Sequence, residues 1–237
     1  MAHVTSEGLN GIVGNIIFYI RDGKQYARSM PAAQSNKRNK IPNARTNAFG
    51  IVSKYGSNLL VILSKSCLFP FSLSTYNTAR GWMRNQYVAN LNAAWPLSAK
   101  GSSMCQLNTG IDLRNFLTVD LSVKDLGAGQ VEVTMGEMNP RRNIKAPSQT
   151  SEVKIKILTV SSAFEPKQSV PGKSATNEFI ISYTDKVVPE KSLVLNTRAK
   201  INDMMLVAIA IEYNVNGLWV TNLQYLPAAI IAMGRME

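Results

Sequence analysis

Five residues near the start of the chain bring together rings that can stack on bases and cations that can meet phosphate: Tyr19, Arg21, Lys24, Tyr26 and Arg28. They flank Asp22-Gly23, which lies between two strand-like runs, Ile16–Arg21 and Lys24–Ser29. Asp-Gly in that position predicts a two-residue type I′ hairpin. Such a turn pairs Arg21 with Lys24, Ile20 with Gln25, Tyr19 with Tyr26 and Phe18 with Ala27. Side chains alternate across a strand, so Ile17, Tyr19, Arg21, Lys24, Tyr26 and Arg28 share one face. Ile16, Phe18, Ile20 and Ala27 share the other, which is apolar and calls for a core. The Tyr/Arg/Lys face suits base stacking and phosphate contact. It also suits an ordinary wet face with a Tyr–Tyr cross-strand pair.

Other residues that could do chemistry lack partners. Gly172-Lys173-Ser174 has the ending of a phosphate-binding loop, but Lys167 stands where its first glycine belongs. Ser151-Glu152-Val153-Lys154 has S-x-x-K spacing inside a run that alternates as a strand. Gly8, Gly11 and Gly14 do not have the dinucleotide-binding spacing and read as a flexible lead-in. Asp120, Asp125, Glu132 and Glu137 are not spaced to hold a metal from one loop. Arg141-Arg142, after Asn139-Pro140, reads as a solvated loop tip, with a phosphate contact as the alternative. Trp82, Trp95 and Trp219 read as anchors of a core or interface. The chain has one histidine, His3, and two cysteines, Cys67 and Cys105, too few for a histidine triad or a zinc cluster. The two cysteines read as free buried thiols, with a single bridge between them as the alternative. No nucleophile, base and orienting group come together, so an enzyme is the least expected class, and no cofactor, metal or small-molecule substrate is expected.

Charge is the strongest compositional signal. The 237 residues carry a formal net charge of +11. Residues 1–100 hold twelve Lys and Arg against Glu7 and Asp22 alone, a net of +10, whereas residues 101–237 are near neutral at +1. No carboxylate stands between Asp22 and Asp112. Arg21, Lys24, Arg28, Lys37, Arg38, Lys40, Arg45 and Lys54 form a one-signed series that would attract a polyanion or an acidic protein. At 45% hydrophobic and 17% charged, the chain can build a core. Its longest apolar run, Met204–Ile211, is too short to span a membrane, and Met1–Glu7 has no features of a secretory signal. A cytoplasmic or virion location is therefore expected.

The elements that must position these residues follow from periodicity. Pro31–Pro42 is polar and basic and reads as a loop or arm. Asn43 can cap a helix with Ala48, Val52, Tyr55, Leu59 and Ile62 on one face, weakened by Gly50 and Gly56. A second helix is expected from Thr75 or Asn77 to about Ala94, with Arg80 and Arg84 one turn apart and Pro96 as its stop. Strands are expected over Leu117–Val123, Gln130–Met135, Val153–Leu158, Glu178–Tyr183, Ser192–Leu195, Met204–Tyr213 and Leu218–Leu223. Leu126–Gly129 and Asn216-Gly217 would make turns. About seven short strands indicate an α+β chain: an N-terminal hairpin and two helices, then an antiparallel immunoglobulin- or fibronectin-like β-sandwich. The expected divisions are 1–45 (basic hairpin and arm), 46–100 (helical) and 101–237 (sandwich).

Gly11-Ile12-Val13-Gly14-Asn15, the aromatic hairpin with Gly23, the Arg28-Ser29-Met30-Pro31 exit and Asn43-Ala44-Arg45-Thr46-Asn47-Ala48-Phe49 carry a resemblance. So does the closing segment Thr221-Asn222-Leu223-Gln224-Tyr225-Leu226. Together they resemble an uncharacterised family of basic proteins from Bacteroidota, a domain of unknown function. The resemblance covers nearly the whole chain. It departs at residues 35–46, where a basic Asn/Lys/Arg tract replaces the usual Asn-Pro…Thr-x-x-Gln segment. It implies the layout and no catalytic residue.

These observations lead to a non-enzymatic structural or assembly protein, such as a phage-like virion component. Its basic arm would contact neighbouring subunits or nucleic acid through Tyr19, Arg21, Lys24, Tyr26, Arg28, Lys37, Arg38, Lys40 and Arg45. The alternatives are a free intracellular nucleic-acid-binding protein, or an adaptor binding a protein through the fibronectin-like half. Self-association is expected, nucleic acid is a candidate partner, and no membrane contact is expected.

Overall fold

A computed structural model describes residues 3–5, 8–30, 50–67, 69–90, 104–163 and 172–236. The chain is α+β, with antiparallel strands in several sheets. It divides into two compact units, Met1–Pro42 and Asn43–Glu237.

The first unit is a four-stranded meander of β1 (His3–Thr5), β2 (Gly8–Val13), β3 (Ile16–Arg21) and β4 (Lys24–Ser29). The expected hairpin is present in the expected register, with Arg21 opposite Lys24, Tyr19 opposite Tyr26 and Phe18 opposite Ala27. Asp22 (φ +52°) and Gly23 (φ +69°) supply the two left-handed residues that a type I′ turn needs. The glycine-rich lead-in is a correction. Gly8–Val13 is a strand, pairing Val13 with Ile16 and Gly11 with Phe18 across a turn at Gly14-Asn15. Its glycines do not interrupt pairing, because a neighbouring strand supplies the hydrogen bonds that an isolated Gly-rich segment lacks.

In the second unit the sheet core is built around β11 (Met204–Val215), whose residues face both ways into apolar layers. It pairs with β8 (Thr150–Ser162), β13 (Ala228–Arg235) and the short β12 (Leu218–Trp219). β9 (Lys173–Ser182) and β5 (Cys105–Gln106) complete this six-stranded sheet. A three-stranded sheet of β6 (Leu121–Gly127), β7 (Gln130–Met135) and β10 (Lys191–Asn196), in the order β10-β7-β6, packs on one face. Met205, Val207, Ile209, Ile211 and Tyr213 point to that side and meet Val131, Val133, Met135 and Leu195. Met204, Leu206, Ala208 and Ala210 point to the other and meet the helices.

The helical layer is α1 (Ser57–Ser66), entered through a π-helical turn Val52–Gly56, and α2 (Leu73–Ala89). Val52, Tyr55 and Leu59 are buried as the spacing predicts. Ser72 caps α2 by accepting from the Thr75 amide at 3.1 Å, so the helix starts two residues before the earliest expected start. Thr75, Ala79, Met83 and Tyr87 form its buried stripe. Helices and strands share one apolar cluster, in which Leu59, Leu60, Leu63 and Met83 join Leu206, Ala208 and Ile230.

Two strand expectations need correction. The run Leu117–Val123 does not start as a strand: β6 begins at Leu121, and Leu117 bridges Ile144 instead. Asp112 caps a short 3-10 turn at Leu113–Asn115, and the Thr118 amide donates to the Asn143 carbonyl, which diverts the chain from β7. The return after Asn216-Gly217 pairs only at Leu218–Trp219. Asn222 then caps a 3-10 turn, Leu223–Tyr225, and the buried Asn108 amide donates to the carbonyls of Leu223 (2.6 Å) and Leu226 (2.9 Å). That clamp turns the chain into β13, a strand absent from the expected set. Asn43, Ala48, Leu91, Trp95 and Pro96 lie outside the described residues.

Candidate functional site

The hairpin face carries the sequence-derived site. The rings of Tyr19 and Tyr26 stack with centroids 5.6 Å apart and planes 18° from parallel. The Arg28 guanidinium lies 5.9 Å from the Tyr19 centroid, within cation–π range. Arg21 and Lys24 face each other beside the turn, and Asp22 approaches Arg21 at 3.8 Å with both side chains exposed. All six residues of β4 are exposed. Antiparallel pairing thus brings Tyr19, Arg21, Lys24, Tyr26 and Arg28 to one side of a two-stranded ribbon. Lys37, Arg38, Lys40 and Arg45 lie outside the described residues.

The opposite face differs from its expectation. The register places Leu9, Gly11, Val13, Ile16, Phe18, Ile20 and Ala27 together, with Gln25 and Ser29 on the same side. It is uncharged and mostly apolar, yet Val13 is 49% and Ile16 is 43% exposed, and no described residue of this sheet is fully buried. The core expected behind it is not seen among the described residues.

A second basic group was only half visible in the sequence. Arg80 and Arg84 lie one turn apart on α2 and line a cavity of about 200 Å³ with Asn77, Gly81, Val52 and Ser53. The i, i+4 spacing pointed to the two arginines. Nothing in the sequence pointed to the π-helical turn that brings Ser53 opposite them.

Other candidate groups have structural roles. Lys154, of the S-x-x-K spacing, pairs with Glu212 at 3.0 Å and lies 4.2 Å from the Trp219 ring centroid. Cys105 is buried and burial pushes its thiol pKa up to about 11, which keeps it protonated and unreactive at neutral pH. Burial, with Tyr183 nearby, raises the Tyr213 hydroxyl, which donates to the Lys145 carbonyl at 3.0 Å. Among the described residues, no three His, Cys, Asp or Glu side chains cluster as a metal site, and no helix is long and apolar enough to cross a membrane. No family model, curated protein or solved structure matches the chain.

Proposed function

We propose that the chain is a non-enzymatic assembly protein, such as a particle or virion component, that joins its neighbours through the N-terminal sheet. The observation that carries this is the division of that sheet into an uncharged, mostly apolar face, left accessible at Val13 and Ile16, and a cationic aromatic face. A sheet with one apolar face gains stability by covering it with a second layer. A second copy fits. The apolar face carries no charge to repel its twin, and two such sheets can pack as a sandwich about a two-fold axis. The resemblance to the Bacteroidota family is consistent with this layout. The two facing sheets of the second unit support an immunoglobulin- or fibronectin-like scaffold for the assembly.

Sedimentation velocity over a concentration series tests the reading. The full chain associates with concentration, and a chain lacking Met1–Arg45 stays monomeric. Equal association of the two rejects it.

A second reading rests on the Tyr19–Tyr26 stack with Arg28 beside it: this face contacts nucleic acid, either within the assembly or on the free protein. Exposed rings flanked by cations bind single strands with little sequence preference. Binding to an oligothymidylate would weaken with salt, log K falling by about 0.7 per phosphate neutralised on a single strand. Tyr26→Ala would lose roughly 1–3 kcal/mol of that binding. Salt-independent or absent binding rejects this second reading.

A further inference from the structure

We propose that the cavity between the π-helical turn and α2 is a binding site for a phosphate group. Its lining is a stripe of one helix face, Asn77, Arg80, Gly81 and Arg84, completed by Val52 and Ser53 from the π-turn. Three observations converge. The Nε of Arg80 is buried and has no hydrogen-bond partner among the described residues, a donor that proteins rarely leave unpaired. Neither Arg80 nor Arg84 takes part in an ion pair among the described residues, and the sequence places no carboxylate between Asp22 and Asp112. A glycine also brings the two elements together. A Cβ at Gly56 would stand 3.0 Å from Met83 Cε, so this glycine lets α2 approach the π-turn closely. Gly81 lies at the exposed side of the cavity, and a Cβ there would meet no described atom within 4 Å.

The donors determine the ligand. The residues that line the cavity include two arginines, a serine and an asparagine, and arginine forks match the oxygen spacing of phosphate. At about 200 Å³ the cavity is smaller than the roughly 300–1,000 Å³ of sites for drug-sized molecules, so it suits one phosphate group rather than a whole nucleotide. That phosphate can come from the free ion, a monoester or a nucleic-acid backbone. Arg80 is held for the role by Tyr76, whose ring centroid lies 6.0 Å from its guanidinium. π-Helical turns recur at functional sites because they displace side chains from the regular helical positions. This site is independent of the hairpin.

The test follows the arginine Nε–H resonances of the full chain in nitrogen-15 spectra during titration with inorganic phosphate at constant ionic strength. Arg80 and Arg84 shift saturably, while Arg114, which is paired with Asp112, does not, and acetate at equal ionic strength leaves all three in place. Arg84→Gln, at an exposed position that should not disturb folding, weakens phosphate binding about tenfold or more. Gly81→Leu, which fills the opening, does the same with the charges intact. An oligothymidylate arm separates the sources. Movement of the same two resonances identifies a phosphodiester backbone, and movement with phosphate alone identifies the free ion or a monoester. The proposal is overturned if phosphate gives no saturable shift, if acetate acts equally, or if both variants bind as the unaltered chain does.

Discussion

The two units are both antiparallel and reach opposite outcomes. In the second, β11 has both faces covered: Leu206, Val207, Ala208 and Ile209 are successive residues, and all are fully buried. In the first, β3 has a similar apolar content, Ile16-Ile17-Phe18-Tyr19-Ile20, and none of it is fully buried. The difference lies in layers, not in strand propensity. β11 sits between a helical layer and a second sheet, and its stability comes from intramolecular burial at about 25 cal/mol per Å² of apolar surface. The N-terminal sheet holds its register through the type I′ turn and cross-strand pairs, each worth only about 0.2–1 kcal/mol. Its apolar side chains stay partly exposed.

The largest expected effect separates the units by core truncation. Leu206→Ala should cost about 2–5 kcal/mol of unfolding free energy, since it opens a cavity in the middle layer. Phe18→Ala in dilute monomer should cost under about 1.5 kcal/mol, because the side chain is already half-exposed. Denaturant titrations would show this, and equal losses would break the comparison. Next are the turn glycines. Gly129 (φ +77°) would place a Cβ against the backbone nitrogen of Ala199 and 2.9 Å from its oxygen, so Gly129→Ala should cost about 3 kcal/mol. Gly23 (φ +69°) has nothing within 4 Å of a Cβ, so Gly23→Ala should cost about 1 kcal/mol and be felt only locally, by hydrogen exchange in β3 and β4. Smaller than the Gly129 effect is that of the ion pair of the second unit. Lys154 and Glu212 are 18% and 20% exposed, and Glu212→Gln should lower stability by about 1–2 kcal/mol. The smallest effect is on pH. The Arg114 hydrogen bond lowers the Asp112 pKa. Its contribution is therefore present above the unfolded carboxylate value and is lost as pH falls through the folded one, so Asp112→Asn should flatten acid unfolding slightly below about pH 4.

The β-hairpin was legible to the residue because Asp22-Gly23 leaves few alternatives for turn type and register. The return strand Gln130–Met135 was equally clear, bounded by three left-handed residues, Gly127, Ala128 and Gly129. β13 was not, since Ala228–Arg235 is apolar at successive positions and alternation cannot mark a strand covered on both faces. The same physics hid the layering. The helical stripe of Thr75, Ala79, Met83 and Tyr87 shows that α2 has a buried side, but not that a sheet covers it. Of the candidate site, alternation located the five hairpin residues. The phosphate cavity needs Ser53 and Arg80 brought together by a π-turn, and that has no sequence signature.

The central claim is that the two faces of the N-terminal sheet do different work. Sedimentation velocity of the full chain carrying Phe18→Thr or Tyr26→Thr tests it with one replacement on each face. Threonine keeps strand propensity at both positions. Phe18→Thr should weaken concentration-dependent association about tenfold or more and Tyr26→Thr should leave it unchanged, as expected when only the apolar face meets a second copy. Equal association of both variants with the unaltered chain, or a unaltered chain that remains monomeric throughout, would contradict the account.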